Sequence, residues 1–170
     1  DPTGWTEIEG EAFAPGFFLW NSEVGKRSVG IQTFWFQAVC RNHIVWDAVE
    51  VIDFSRKHTA NVRDALREIR VLINRLVERR DERRDRFVEV IKKAMNTSLG
   101  HDEEEVLKSL AKHGVGKALA KEALELARRQ GRFTIFALVD AITRIGGKCA
   151  NAGDRTEIDV VAGPLLAAVV

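Results

Sequence analysis

The segment from residue 40 to residue 58 carries the cysteine and histidine side chains that could bind a metal ion or act as a nucleophile and its base. Cys40 and His43 have the spacing of a C-x-x-H pair, and Asp47, Asp53 and His58 follow. A structural zinc site needs a second such pair, and in an alternating strand Cys40 and His43 would point to opposite faces. Apolar residues precede Cys40, so a buried and unreactive thiol is expected there. The sequence therefore predicts no metal ion, no catalytic residue and no cofactor.

A phosphate-binding loop and a pair of catalytic carboxylates are the other chemistries to be weighed. Gly25 and Lys26 resemble the end of a phosphate loop, but Trp20 stands where its first glycine belongs, and a strand is predicted where its helix should begin. Glu23 has no second acidic residue fixed beside it in the sequence, so catalysis by two carboxylates has no support. We expect Glu23 to form an ion pair with one of the basic residues of the neighbouring turns.

Six basic residues lie at predicted turns and strand ends, where they could contact the phosphates of a nucleic acid. They are Lys26, Arg27, Arg41, Arg56, Lys57 and Arg63. Aromatic residues on the adjacent strands could stack on bases, since a basic groove with aromatic platforms binds single strands. The pattern predicts that the six cations gather along one rim of a sheet; the alternative is a scattered, solvated set of charges.

Composition restricts the class of protein more than it identifies a function. With 170 residues the chain can form one domain, or one domain with a small helical extension. A formal net charge of +1 argues against a globally basic nucleic-acid-binding protein but permits a local basic face. No apolar run approaches the roughly 20 residues that cross a bilayer. Cys40 and Cys149 are far apart and lack disulfide-framework spacing, so we predict reduced thiols and a cytoplasmic location.

The front of the chain is predicted to be rich in strands, since all four tryptophans and six of the nine phenylalanines precede residue 55. Residues 6–13 should form a weak edge strand that Pro15 and Gly16 break. Apolar residues then alternate on both faces from Ser28 onward, which predicts a strand covered on two sides; a short helix over 32–39 is the competing interpretation. The other predicted strand segments are 17–23, 44–46 and 49–54, with an interruption at 40–43. The interpretation is an antiparallel β-meander of three to five strands.

The rest of the chain has the composition of helices. An apolar stripe that begins at Val62 is interrupted by the polar segment 78–86 and resumes at Phe87. Either one long helix leaves the sheet there, or two helices meet at a polar join. Three more helices are predicted over 102–112, 117–130 and 134–145.

Capping signals set the ends of these helices. Asp102 and Asp154 each begin a predicted capping box, a glycine pair at Gly146 should close the third helix, and Pro164 should allow a new start. The apolar end of the chain, 165–170, should be core or should contact a partner. We therefore predict an α+β fold in which the meander precedes a long helix and a small helical bundle. The predicted division is a β-rich core with its packing helix over 1–98 and a helical subdomain over 99–170.

A set of short motifs is similar to those of a known family. The residues that carry the similarity are Asn21, Ser22, Glu23, Gly25, Cys40, Asn42, His43 and His58, followed by a closing D-R-x-x-x-D-x-x-A-G pattern over 154–163. Together they resemble the phage/plasmid-like protein family catalogued as domain of unknown function 932. The resemblance runs from Gly16 to Leu166 and implies that the chain is the C-terminal portion of that family. It also implies that an N-terminal part is missing, in agreement with the absence of an initiating Met.

Three hypotheses about function follow. A hairpin, a third strand and a crossing helix resemble the core of the single-strand annealing recombinases of phages, which bind DNA without a cofactor. The leading hypothesis is therefore a non-enzymatic, annealing-like protein of a phage or plasmid that binds single-stranded DNA, as an oligomer. The first alternative is a protein-interaction or host-directed module of the antirestriction type, whose partner is a host protein. The second is an enzyme built on Glu23, His43 and His58.

Overall fold

The computed structural model describes residues 4–20, 30–38, 42–44, 62–129, 131, 133–149 and 152–169. In this part of the chain a four-stranded antiparallel sheet of order β1-β2-β3-β4 precedes six helices, so the predicted α+β meander is confirmed. The strands are β1 Thr6–Ile8, β2 Glu11–Trp20, β3 Gly30–Gln37 and β4 Asn42–Ile44. The helices are α1 Val62–Glu78, α2 Arg80–Asn96, α3 Glu103–Lys112, α4 Lys117–Arg129, α5 Ile135–Lys148 and α6 Ala152–Ala167. No helix among these residues is long and apolar enough to cross a membrane.

The first hairpin differs from the predicted single edge strand. β1 pairs with β2 in a register that places Ile8 opposite Glu11, so only Glu9 and Gly10 form the turn. Both have positive φ, 49° for Glu9 and 87° for Gly10. Positive φ at both central residues is the type I′ geometry that matches the twist of a two-residue hairpin. The break therefore lies at Glu9-Gly10, and the prediction of a break at Pro15 was wrong.

Pro15 lies inside β2 because its missing N–H is not needed there. The N–H of Ala38 donates to the carbonyl of Ala12 at 2.9 Å, which sets the phase of hydrogen bonding between β2 and β3. Odd-numbered residues of β2, including Pro15, therefore direct their main-chain groups away from β3. β1 meets that other side of β2 only as far as Phe13. A proline is tolerated where no strand needs its N–H.

β3 confirms the predicted alternation and excludes the competing short helix. Thr33, Trp35 and Gln37 are buried on the face that meets the helices, whereas Phe34 and Phe36 are half-buried on the opposite, outer face. Both faces carry apolar groups, but only the first is covered by described helices, so covering of the outer face stays a prediction.

The predicted interruption over 40–43 is wrong for the last two residues of that segment. Asn42 and His43 belong to β4 and lie opposite Gln37 and Phe36. The remaining residues of the segment, the rest of the strand predicted at 44–46 and the strand predicted at 49–54 lie outside the described residues.

Rings from three parts of the chain form the centre of the core. Trp35 stacks on Phe87 of α2 with ring centroids 4.1 Å apart and planes 2° from parallel. Phe13 meets Phe87 edge-on at 5.3 Å and Phe136 of α5 at 6.1 Å. α5 is buried along most of its length, and one cluster of buried residues runs through the sheet and the helices. The division at residues 98 and 99 stays a prediction.

The helices confirm several predicted ends and correct others. α1 and α2 meet at Arg79, so the polar segment is a join between two helices. Asp102 caps α3 by accepting the N–H of Glu105 at 2.9 Å. Gly146, however, lies inside α5, and a Cβ there would come within 2.9 Å of Ile158 Cγ2. The glycine therefore permits close packing of α5 on α6 and does not end a helix.

The predicted capping box at Asp154 and the new start at Pro164 are both wrong, because α6 begins at Ala152 and continues past both residues. The exposed ring of Pro164 lies on the solvent side of this helix. Leu165 and Leu166 are fully buried, so this part of the apolar end of the chain belongs to the core.

Candidate nucleic-acid interface

The outer face of the sheet carries a continuous cluster of aromatic rings. We name it the outer-face cluster, and its members are Trp5, Phe18, Phe34, Phe36 and His43. Phe18 stacks on Phe34 at 4.3 Å, and the His43 ring meets Phe34 edge-on at 4.7 Å and Phe18 at 5.3 Å. Phe36 lies 5.5 Å from His43 and 6.0 Å from Trp5. These rings cross the sheet from β2 to β4.

Small residues on β2 make room for the outer-face cluster. Ala14 lies opposite Phe36, and Gly16 lies opposite Phe34. A Cβ on Gly16 would lie only 2.5 Å from Phe34 Cζ, so the Phe34 ring covers the glycine itself. A glycine in a strand has no side chain, so a large ring from the neighbouring strand can lie directly against its backbone. The face is therefore a shallow aromatic surface, with Phe18 38% exposed.

His43 is the polar member of this surface. It lies directly opposite Phe36, is half-buried, and is surrounded by three phenylalanine rings. An imidazole that packs against aromatic rings can form a hydrogen bond with the edge of a ligand that stacks on the same surface. Of the residues named for the enzyme hypothesis, His43 is described, whereas Glu23 and His58 lie outside the described residues. That hypothesis therefore stays a prediction.

Most of the cations predicted to contact phosphates lie outside the described residues. These are Lys26, Arg27, Arg41, Arg56 and Lys57. Arg63 is in α1, of which only the backbone is described at that position. Their arrangement along one rim stays a prediction. The family-motif residues Asn21, Ser22, Gly25 and Cys40 also lie outside the described residues.

A different arginine comes close to the sheet, on the face opposite the outer-face cluster. Arg83 of α2 donates to Thr33 Oγ1 at 2.9 Å. Thr33 lies directly opposite Phe17, whose ring is 52% exposed. The two form a pair without mutual hydrogen bonds, in which side chains approach most closely. The sequence showed no sign of this contact, because the two partners of the hydrogen bond are 50 residues apart.

The charges around Arg83 largely pair with one another along α2. Arg79 donates to Glu82 at 3.1 and 3.2 Å, and Arg84 contacts Asp81 and Asp85 at 3.0 and 2.9 Å. The hydrogen bond from Arg79 lowers the pKa of the Glu82 carboxyl. These side chains are exposed, so each pair contributes little to stability. This segment is a solvated, ion-paired helix surface.

A small acidic pocket lies between the first hairpin and the helices. It has a volume of about 170 Å³, and its charged lining residues are Glu9, Glu11, Asp140 and Arg144. Asp140 is buried, and Arg144 Nε lies 2.9 Å from its Oδ2. Glu11 accepts a hydrogen bond from buried Gln37 at 3.0 Å. Among the described residues no group of three or more histidine, cysteine or acidic side chains is placed to hold a metal ion.

The fold and this surface define a class: an α+β protein whose helices cover one face of an antiparallel sheet and whose other face is aromatic. A family model described as Domain of unknown function (DUF932) matches residues 3–152, and the chain belongs to this family. No curated protein and no solved structure matches the chain.

The match confirms the family resemblance and corrects its extent. It begins before Gly16 and ends before the pattern at 154–163, so the family domain is not only a C-terminal portion. The phage or plasmid context stays a prediction.

Proposed function

We propose that this protein binds single-stranded nucleic acid on the outer face of its sheet, without catalysing a reaction. The observation that supports the proposal is the outer-face cluster, in which stacked rings are partly open to solvent. Every base has a π-face, so a surface of this kind binds unpaired bases with little dependence on sequence. Bases in a duplex are already stacked and would not reach it. The ligand we propose is single-stranded DNA of a phage or plasmid in the cytoplasm.

Three of the predicted cations lie next to the two ends of β3 in the sequence, which supports the proposal. β2 and β3 meet where Trp20 lies opposite Gly30, and β3 and β4 meet where Gln37 lies opposite Asn42. At about 3.3 Å per residue, these two ends of β3 are roughly 23 Å apart. In the sequence, Lys26 and Arg27 lie between β2 and β3, and Arg41 directly precedes β4. We propose that an extended single strand of nucleic acid lies along β3. The cations near the two ends of β3 would neutralise its phosphates.

The experiment is fluorescence anisotropy with a labelled single-stranded oligonucleotide, first at low salt and then across a salt series. Binding should weaken steeply as salt rises, because neutralised phosphates release counterions. Phe18→Leu keeps an apolar side chain but removes the stacking ring, and it should weaken binding by about 5- to 150-fold, the equivalent of one stacked base.

Val71→Ala is the matched control, because Val71 is 50% exposed on α1 and lies outside the outer-face cluster. It should leave affinity unchanged. An absence of binding at low salt, or equal losses for the two variants, would refute the proposal.

A further inference from the structure

The imidazole of His43 lies close enough to three phenylalanine rings for each of them to attract a positive charge on it. Its ring centroid is 4.7 Å from that of Phe34, 5.3 Å from that of Phe18 and 5.5 Å from that of Phe36. A cation within about 6 Å of a ring centroid is attracted by the negative face of the ring. Half-burial disfavours a charged imidazole, and these contacts offset part of that cost. The surroundings of His43 therefore accommodate the charged form of its ring.

Among the described strand residues of the outer face, Glu7 of β1 is the one that carries a charge at neutral pH. Three steps of about 4.8 Å between strands separate β1 from β4, so Glu7 lies roughly 14 Å or more from His43. α5 and α6 contact β4 on its other face, where Ile44 is buried. Arg41 and Asp47, the charged residues nearest to His43 in the sequence, lie outside the described residues. Neither type of side chain ordinarily titrates near neutral pH, so His43 is the described group of this face whose charge changes there.

We propose that protonated His43 contacts a phosphate of the nucleotide whose base stacks on Phe18, an inference that rests on the proposed function. A phosphate adjoins every base of a single strand, and the imidazole lies 5.3 Å from the partly exposed Phe18 ring. In the protonated form both ring nitrogens are donors, and they form charge-assisted hydrogen bonds with phosphate oxygens. The imidazole gains this charge as the pH falls below neutrality. The protein therefore binds single strands more tightly in mildly acidic solution than in mildly basic solution.

The test measures fluorescence anisotropy with a labelled oligothymidylate between about pH 5.5 and pH 8 at constant ionic strength. Thymine and the phosphodiester groups keep their charge in this range, so a change in affinity reports on the protein. Affinity should rise about fivefold toward the acidic end, the gain expected from one exposed ion pair. His43→Phe keeps a ring that cannot be charged, so it should still bind at the basic end but lose this rise. His101→Gln, at an exposed histidine outside the sheet, should keep the rise unchanged.

NMR titration of the unaltered protein gives a second readout that does not depend on the folding of a variant. The titration midpoint of the His43 ring protons should move to higher pH when oligothymidylate is added, because the bound phosphate stabilises the charged ring. Affinity that is independent of pH overturns the inference and leaves the proposed function intact. The same holds for a rise that persists in His43→Phe, or that disappears in His58→Gln instead. An absence of binding at every pH refutes the proposed function and this inference with it.

Discussion

At the scale of single residues, the contact between Gly16 and Phe34 determines the shape of the outer face. A Cβ at position 16 would lie only 2.5 Å from Cζ of the Phe34 ring, so the ring occupies the space that any other side chain would need. It cannot move freely, because Phe18 stacks on it at 4.3 Å and His43 meets it at 4.7 Å. Displacing Phe34 therefore disturbs the whole outer-face cluster.

Replacement of Gly16 by alanine should accordingly destabilise the protein. Overpacking costs about 1–3 kcal/mol, and the reduced entropy of the unfolded chain offsets about 0.4–1 kcal/mol of this. We expect a net loss of about 1 kcal/mol in the free energy of unfolding, measured by urea denaturation. In a Phe34→Leu background the same substitution should cost less, because the smaller side chain can move aside. A Gly16→Ala variant as stable as the unaltered protein would contradict this account of the face.

The carboxyl of Glu82 offers a residue-scale test of pH dependence. Arg79 lowers its pKa in the folded protein. A lowered folded-state pKa means that the pairing stabilises the protein above the unfolded-state pKa and is lost as the pH falls through the folded-state pKa. NMR titration of the Glu82 side chain should show its pKa rise in Arg79→Gln and in high salt, since the pair is exposed and screened. An unchanged pKa in Arg79→Gln would show that the ion pair is absent in solution.

At the scale of elements, the sequence predicts a strand or a helix correctly where the segment itself carries a local pattern, such as alternation of apolar residues or a capping pair. The alternation of β3 placed Phe34 and Phe36 on one face correctly. The capping pair of Asp102 and Glu105 likewise marked the start of α3. The sequence does not reveal the type I′ turn, because Pro15-Gly16 is a stronger break signal than Glu9-Gly10. In the structure no described strand pairs with Pro15 on the side of β2 away from β3, so its missing N–H breaks no hydrogen bond there.

The contacts of the candidate site were less accessible to sequence analysis. That Phe34 and Phe36 share a face follows from period-two alternation, whereas the positions of Phe18 and His43 beside them depend on the register of three strands. The hydrogen bond from Arg83 to Thr33 joins residues 50 positions apart. Such pairs depend on tertiary packing, and no local pattern encodes them.

The two consecutive glycines of α5 should respond in opposite ways to alanine. Gly146→Ala relieves the helix penalty of glycine, worth about 1 kcal/mol, but its Cβ would come within 2.9 Å of Ile158 Cγ2. The expected overpacking cost of about 1–3 kcal/mol makes the net effect destabilising. Gly147 is exposed in the same helix, so Gly147→Ala should stabilise the protein. Thermal unfolding of both variants tests this, and equal shifts of the same sign would show that α6 does not pack closely at Gly146.

At the scale of the whole molecule, sheet and helices share one buried cluster. Phe13 and Trp35 of the sheet contact Phe87 of α2, and Phe13 also meets Phe136 of α5. Neither the strands nor the later helices can bury these rings alone. The shared core therefore couples the two parts that the sequence divides at residues 98 and 99.

Because of this coupling, we expect a single cooperative unfolding transition. Tryptophan fluorescence reports mainly on the front of the chain, which carries all four tryptophans, and far-UV circular dichroism reports mainly on the helices. The two curves should coincide in urea, as two-state unfolding requires. Two separate transitions would instead support independent units over 1–98 and 99–170.

The contact between Phe13 and Phe136 also has a consequence for synthesis on the ribosome. The inner face of the sheet emerges early, yet the helix that covers part of it is made more than a hundred residues later. Contacts so distant in sequence form slowly, and apolar surface left uncovered in the meantime promotes aggregation. Nascent chains that stall before α5 should therefore depend on chaperones, whereas those released after α6 should not.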